Sequence, residues 1–205
     1  MEDIIKNYSA DFTQLQNIEK NNWFTKQRQL AFNIFQESGF PNTKNEDWKY
    51  TDVKPISRNI FSNITESNVA INDDELDATL FKNLECINLV FINGAYSEKY
   101  SNIKNISDKT VIKNMANALV NDESSLKKHM TQYASADSGP FEALNIAFIQ
   151  DGAYINIPAN TNIEKPINIT YISKGNSNKF ATHPRNLILL GENSNATVIE
   201  NYVSN

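Results

Sequence analysis

A repeat near the end of the chain constrains its possible folds more than any other feature. Tyr154–Ile163 (YINIPANTNI) lies over Leu187–Ala196 (LILLGENSNA) at an offset of 33 residues. Ile155 then meets Ile188, Ile157 meets Leu190, Pro158 meets Gly191 and Asn160 meets Asn193. Each copy resumes with an apolar run, Ile167–Ile169 and Val198–Ile199, where the register slips by about two residues. Short alternating strands, each broken by Pro or Gly and followed by an Asn that tolerates left-handed backbone, suit stacked β coils. The pattern predicts a β-solenoid with Ile, Leu and Val inward and Asn and Thr outward. A β-sandwich has equally short strands and stays open as the alternative. The last coil of a solenoid exposes unpaired backbone groups and needs a cap or a partner. The chain stops mid-pattern at Tyr202-Val-Ser-Asn, so it reads as cut short, with self-association expected through the open β edge.

The segment ahead of the repeat has a different texture. Residues 10–38 carry helical spacing: Phe12, Leu15 and Ile18, then Leu30, Ala31, Ile34 and Phe35. Gly39 and Pro41 end the run, and a break is expected near Asn21–Asn22. Ile87, Leu89 and Phe91 on one side and Val90 and Ile92 on the other make a buried strand. Asn93-Gly94 turns it toward a return strand in YSEKYSNI. Residues 110–133 read as helical, with a second start at Asp122. SADSGP (135–140) is a small polar linker and the expected domain boundary, giving regions 1–135 and 140–205. From Phe141 on, the runs FEALNIAFIQDG, AYINIPANT, INITYIS, NLILLGENS and ATVIENYVS all read as short β segments.

Composition excludes several classes of function. A 40% hydrophobic, 21% charged chain of 205 residues is that of a globular protein with a real core. A net charge of −5, with Lys127-Lys128 the only concentrated lysines, argues against nucleic acid as a partner. One cysteine, Cys86, excludes an internal disulfide and a cysteine-based metal site within one copy, and fits a reducing cytoplasm. The N-terminus MEDIIKNYSADF lacks the positive charge and apolar core of a signal peptide. No apolar run is long enough to cross a bilayer, so no membrane role is expected.

Few residues carry candidate chemistry. Trp48 and Tyr50 stand together in FPNTKNEDWKYTDVKPI (40–56), where they either form an aromatic binding site or anchor a long connection. His183 sits in T-H-P-R at the start of a β run and reads as a turn residue, and His129 as a solvated one. Cys86 precedes a strand and reads as a small hydrophobe, since iron–sulfur sites gather several thiolates. There is no Walker A loop, nucleophile elbow or metal-spaced Cys/His set.

Three blocks together resemble the SufB/SufD family of the SUF iron–sulfur cluster assembly system, and within it the SufD branch. They are residues 40–56, residues 140–173 (PFEALNIAFIQDGAYINIPANTNIEKPINITYIS) and residues 181–204 (ATHPRNLILLGENSNATVIENYVS). Glu46, Trp48, Lys49, Tyr50 and Thr51 supply the E-x-W-K-Y-T core, and Phe141 to Gly152 the F-x-x-L-N-x-A-F-x-x-D-G run. The resemblance implies an N-terminal helical region with a small hairpin element, followed by the first coils of a right-handed parallel β-helix, an α+β to mainly β chain. It also implies a cytoplasmic scaffold that works with SufB-like and SufC-like proteins, the latter an ATPase. The surfaces for both partners, and any cluster-related residue, would lie beyond Asn205. The resemblance therefore assigns this stretch no catalytic, cofactor-binding or metal-ligating residue, and the iron–sulfur cluster belongs to the full complex.

The expected function is thus a non-enzymatic scaffold in iron–sulfur cluster assembly. Two other classes stay open. One is a β-helix enzyme acting on carbohydrates or transferring acyl groups, for which Asp151, Glu164 and Glu192 are the available acids. The other is a generic protein-interaction module using the helical N-terminal face.

Overall fold

The computed structural model describes residues 2–18, 23–63, 71, 84–104, 106, 109–175 and 179–204. The chain divides into two compact units that interleave in sequence. Unit 1 takes Met1–Thr65, Glu123–Ile149 and Asn176–His183, and unit 2 takes Glu66–Asp122, Gln150–Gly175 and Pro184–Asn205.

Unit 1 is helical. Helix α1 spans Glu2–Ile18 and α2 spans Thr25–Ser38. The predicted break at Asn21–Asn22 lies outside the described residues. The buried face of α2 is Arg28, Ala31, Phe32 and Phe35, an i, i+3, i+4, i+7 stripe. Leu30, expected in the core, is 55% exposed, because the stripe runs one position later around the helix. Gly39, at φ 62°, ends α2 by donating its N–H to the Phe35 carbonyl at 2.8 Å. A one-turn α3 (Lys54–Ser57) carries Pro55 in its first turn, where the missing N–H costs nothing.

Helix α5 (Glu123–His129) and α6 (Pro140–Phe148) complete unit 1. SADSGP leads into α6 through a 3₁₀ turn at Ala136–Ser138. The expectation that FEALNIAF opens a β region is overturned, since this segment is α6. Its buried residues Ala143, Leu144, Ile146, Ala147 and Phe148 follow the helical repeat, and Pro140 stands at its first turn. Beneath α6 meet Tyr8, Phe12, Phe32 and Phe148. Phe12 and Phe32 stack at 4.2 Å, and Tyr8 and Phe12 meet Phe148 edge-on at 5.9 and 5.7 Å.

Unit 2 holds the sheets. Its strands are β1 (Ile87–Ile92), β2 (Ala95–Tyr96), β3 (Val111–Asn114), β4 (Ala153–Ile157), β5 (Ile167–Ser173), β6 (Leu187–Leu190) and β7 (Val198–Ser204). Helix α4 (Met115–Asn121) follows β3 directly. The strand order is β2-β1-β5-β7 in one sheet and β3-β4-β6 in the other. Between them pack Ile87, Leu89, Phe91, Ile155, Ile157, Ile167 and Ile169.

The expected right-handed parallel β-helix is not what the described residues form. Among the described residues the chain is α+β with two mixed sheets and no closed solenoid. The reason lies ahead of the repeat. Asn93-Gly94 (φ 48° and 84°) reverses the chain, so β1 and β2 pair antiparallel, and β3 likewise runs antiparallel to β4. Four residues of the presumed helical stretch 110–133 (Val111–Asn114) are β3, and the return strand in YSEKYSNI shrinks to Ala95–Tyr96 plus an isolated bridge from Asn88 to Asn102.

The repeat itself does pair. Ile155 lies beside Ile188 and Ile157 beside Leu190 in parallel β4 and β6. Ile167 lies beside Val198 in parallel β5 and β7, the two-residue slip read in the sequence. Asn160 (φ 58°) and Asn193 (φ 55°) both take left-handed backbone, and Asn193 donates through its side chain to Asn160 at 3.3 Å. Gly191 has a different reason to be glycine: a Cβ there would stand 2.3 Å from the Ala159 nitrogen. The outward placement of Asn and Thr fails on β5, where Asn168 and Thr170 are fully buried. Asn168 instead donates to Asn88 at 2.9 Å and to Thr170 at 3.1 Å.

Candidate functional site

The polar cluster of unit 1 with the most defined geometry joins three segments distant in sequence. Asp11, on α1, accepts at Oδ2 from both the backbone N–H (2.8 Å) and the side-chain amide (3.0 Å) of Asn63. Asn63 is fully buried, and its Oδ1 faces His183 Nε2 at 2.8 Å. Because the Asn63 amide nitrogen points at a carboxylate, its oxygen is left to accept, so His183 carries its proton on Nε2 and leaves Nδ1 as an acceptor. The imidazole stacks on Phe148 at 5.3 Å. A parallel bridge between Ser62 and Phe180, with Ala181 N–H donating to the Ser62 carbonyl at 2.9 Å, brings residue 63 beside residue 183.

Electrostatics follow from this burial. Loss of water pulls the His183 pKa down to about 4, so the ring is neutral near pH 7. Burial, then the charge of Asp11, pushes the Tyr8 phenol up to about 12. The cluster orients a neutral imidazole. Among the described residues no group of three or more His, Cys, Asp or Glu could hold a metal ion. Sequence reading treated His183 as a turn residue and missed Asp11 and Asn63 altogether, because nothing local links positions 11, 63 and 183. Arg28 was missed too. It is buried, crosses the Phe24 ring at 5.4 Å and donates to the carbonyls of Ala147 and Ile149 at the end of α6, where a cation suits the helix dipole.

The E-x-W-K-Y-T block is a tight turn whose two aromatics part. Asn45 accepts the Asn42 N–H at 2.9 Å, Glu46–Trp48 form a 3₁₀ turn, and Thr51 N–H closes on the Trp48 carbonyl at 3.0 Å. Trp48 packs on Phe141 of α6 at 5.2 Å, so it is the anchor of the long connection. Tyr50 is 91% exposed, with the Lys49 ammonium 5.4 Å from its ring centre.

A family model for the SufBD protein N-terminal region matches residues 2–169, which spans most of the chain and contains this turn. The chain belongs to the SufBD family. Three curated relatives agree. An iron–sulfur cluster assembly SufBD family protein of Synechocystis is 23% identical over 85% of this chain and 38% of its own length. The iron–sulfur cluster assembly protein SufD of Bacillus subtilis is 24% identical over 89% of this chain and 42% of its own. SufD of Escherichia coli is 26% identical over 82% and 36%. The chain thus spans about two fifths of the length of the relatives it matches.

The remaining candidates of this SufBD chain fall in separate places. Cys86 is buried just before β1, and desolvation raises its thiol pKa, which keeps it protonated and unreactive. Asp151 is buried and accepts four hydrogen bonds, from Tyr96 N–H, Ala116 N–H, Gly152 N–H and the Asn114 amide, at 2.9 to 3.1 Å. Burial pushes its carboxyl above the usual range, against the pull of those donors. Its oxygens are committed to joining β2, β3, α4 and the start of β4. Glu164 follows β4 and borders a cleft of about 240 Å³ with Ile87, Ile106, Ile163 and Lys165. Glu192 lies in the turn after β6. Asp151 therefore stands at the opposite end of the β4 strand from Glu164 and, given parallel pairing, from Glu192. His129 bonds the Tyr133 hydroxyl at 2.7 Å on the surface, and Lys127 pairs with Glu123 at 2.5 Å. Among the described residues no helix is long and apolar enough to cross a membrane.

Proposed function

We propose that this chain serves as a non-enzymatic scaffold in iron–sulfur cluster assembly, in the cytoplasm, together with a SufB-like protein and a SufC-like ATPase. The observation that carries the reading is the family match over residues 2–169. The names of the relatives support it: all three are iron–sulfur cluster assembly proteins, two of them SufD. The geometry supports a scaffold over the enzyme alternative in one respect. Asp151, the best-placed buried acid, has its oxygens filled by four donors that hold three strands and a helix together, so it has no free face for a substrate. The cluster enters this account as cargo of the assembled complex.

Affinity capture tests the proposal. The protein containing this chain, tagged and expressed in its own cytosol, is expected to bring down a SufB-like protein and an ABC-type ATPase. Their absence, with the bait folded, would remove the assembly role. Turnover of a polysaccharide or acyl donor by the purified protein without partners would replace the scaffold with an enzyme.

A further inference from the structure

We infer that the surface of residues 49–60, joined by Lys179, docks a segment of a partner protein in which acids alternate with apolar side chains. This goes beyond the assembly role, and neither reading depends on the other. The chain carries a net charge of −5, yet residues 49–60 hold Lys49, Lys54 and Arg58 against a single acid, Asp52. Lys179 adds a fourth cation from far along the chain, donating to the Asn59 side chain at 2.7 Å. All of these residues belong to unit 1. Asp52 is already engaged: it pairs with Lys54 at 3.3 Å and accepts the Lys54 N–H at 3.0 Å. Among the described residues Lys49, Arg58 and Lys179 make no ion pair.

The same surface keeps large apolar side chains in solvent. Tyr50, Ile56 and Ile60 are 91%, 41% and 57% exposed, although the backbone that carries them is pinned. Val53 is buried, and its carbonyl accepts from the Ile56 and Ser57 N–H groups, each at 2.9 Å. The Arg58 N–H closes on the Lys54 carbonyl at 3.0 Å, and the Asn59 amide on the Pro55 carbonyl at 2.8 Å. With Val53 turned inward, the helical repeat of α3 sets Lys54 and Arg58 along one flank of the exposed crest and Ile56 along the other. A pinned backbone that presents clustered apolar side chains beside spare cations loses little freedom when a partner lands on it.

Charge complementarity selects the occupant. Lysine and arginine without ion-pair partners favour carboxylates, and the Lys49 ammonium, 5.4 Å from the Tyr50 ring centre, sets a cation beside an open apolar face. A segment alternating acids with leucine or phenylalanine meets both demands at once. An anionic membrane suits the surface less well. Helix α3 is one turn long, whereas anchoring to a bilayer takes a longer apolar face or a denser basic cluster.

Fluorescence anisotropy with the protein that contains this chain tests the inference, the probe being a labelled peptide in which glutamates alternate with leucine and phenylalanine. Saturable binding is expected, about tenfold tighter than for the same peptide with lysine in place of glutamate. Arg58→Glu should weaken it about tenfold and Tyr50→Ala about fivefold. Lys128→Glu makes the same change of charge on α5, outside this surface, and should leave the affinity within about twofold. All three side chains are exposed, so the variants keep the fold. No binding of the acidic peptide, equal binding of the lysine peptide, unchanged affinity in Arg58→Glu or Tyr50→Ala, or an equal loss in Lys128→Glu would each overturn the inference. Capture by phosphatidylserine vesicles without capture of the peptide would overturn it in favour of a membrane.

Discussion

In unit 1 the side chains that meet at the centre are rings: Tyr8, Phe12, Phe32, Phe35 and Phe148 pack edge and face, with His183 laid on Phe148. In unit 2 they are mostly aliphatic and come in rungs, Leu89 beside Ile169 and Ile155 beside Ile188, with the stacked Phe91–Tyr171 pair as one rung and Asn88 and Asn168 as another in amide form. The difference teaches where each unit is vulnerable. A ring cluster tolerates small shifts, since edge-to-face geometry is broad, but its half-buried, desolvated imidazole makes it sensitive to protons. A laddered pair of sheets brings backbone close to backbone and has no tolerance where a Cβ would intrude.

The largest effect is expected at Gly152. Its φ is 155°, and an added Cβ would stand 2.0 Å from the Arg185 carbonyl oxygen, a backbone atom that cannot swing aside. Gly152→Ala should cost about 4 kcal/mol. In a denaturant titration this appears as a much lower midpoint, and an unchanged midpoint would mean the backbone can part here. Next comes Asp151→Ala, which strips an acceptor from three backbone N–H groups and the Asn114 amide. About 3 kcal/mol should be lost, since each of the three backbone N–H groups left unpaired costs about 1 kcal/mol while the Asn114 amide can turn to another acceptor.

The comparison sharpens under acid. His183 titrates near 4 in the folded chain and near 6.5 when unfolded, so between those values the unfolded state binds a proton that the folded state does not. Stability from this residue is complete above pH 6.5 and falls as pH drops to about 4, by up to about 3 kcal/mol. His183→Gln should remove that part of the acid loss when urea titrations at pH 7 and pH 4 are compared. An identical acid loss in the variant would show that other groups carry it. The smallest effects separate the paired aromatics of the turn. Trp48→Ala removes the ring packed on Phe141 and should cost about 2 kcal/mol, whereas Tyr50→Ala, 91% exposed, should change thermal stability by less than about 0.5 kcal/mol.

Much of the fold was legible where signals were local. The α1 and α2 regions, the buried β1 with apolar residues on both faces, the Asn93-Gly94 turn and the 33-residue repeat all rest on spacing within a few residues, or on self-comparison. Helix α6 was misread because FEALNIAF is apolar on nearly every side. A continuously apolar run can be a buried strand or a buried helix, and here the helix-compatible Pro140 ahead of it was the overlooked signal. The candidate site was barely legible: His183 was noticed only as a turn residue, and its partners lie 120 residues upstream for Asn63 and a further 52 for Asp11.

By itself the sequence determined the family blocks, the turn built by FPNTKNEDWKYT and the pairing potential of the two repeat copies, because each depends on residues adjacent in the chain or on matching strings. Only the tertiary structure decided that residues 111–114 form β3 and run antiparallel to β4, beside the parallel β4–β6 pair, which makes that sheet mixed. It also decided that Asn168 and Thr170 are buried, that Trp48 packs while Tyr50 does not, and that Asp11, Asn63 and His183 meet. These outcomes depend on which surfaces exclude water from one another. Burial is a property of segments brought together in space, and no stretch of one strand or helix encodes it alone.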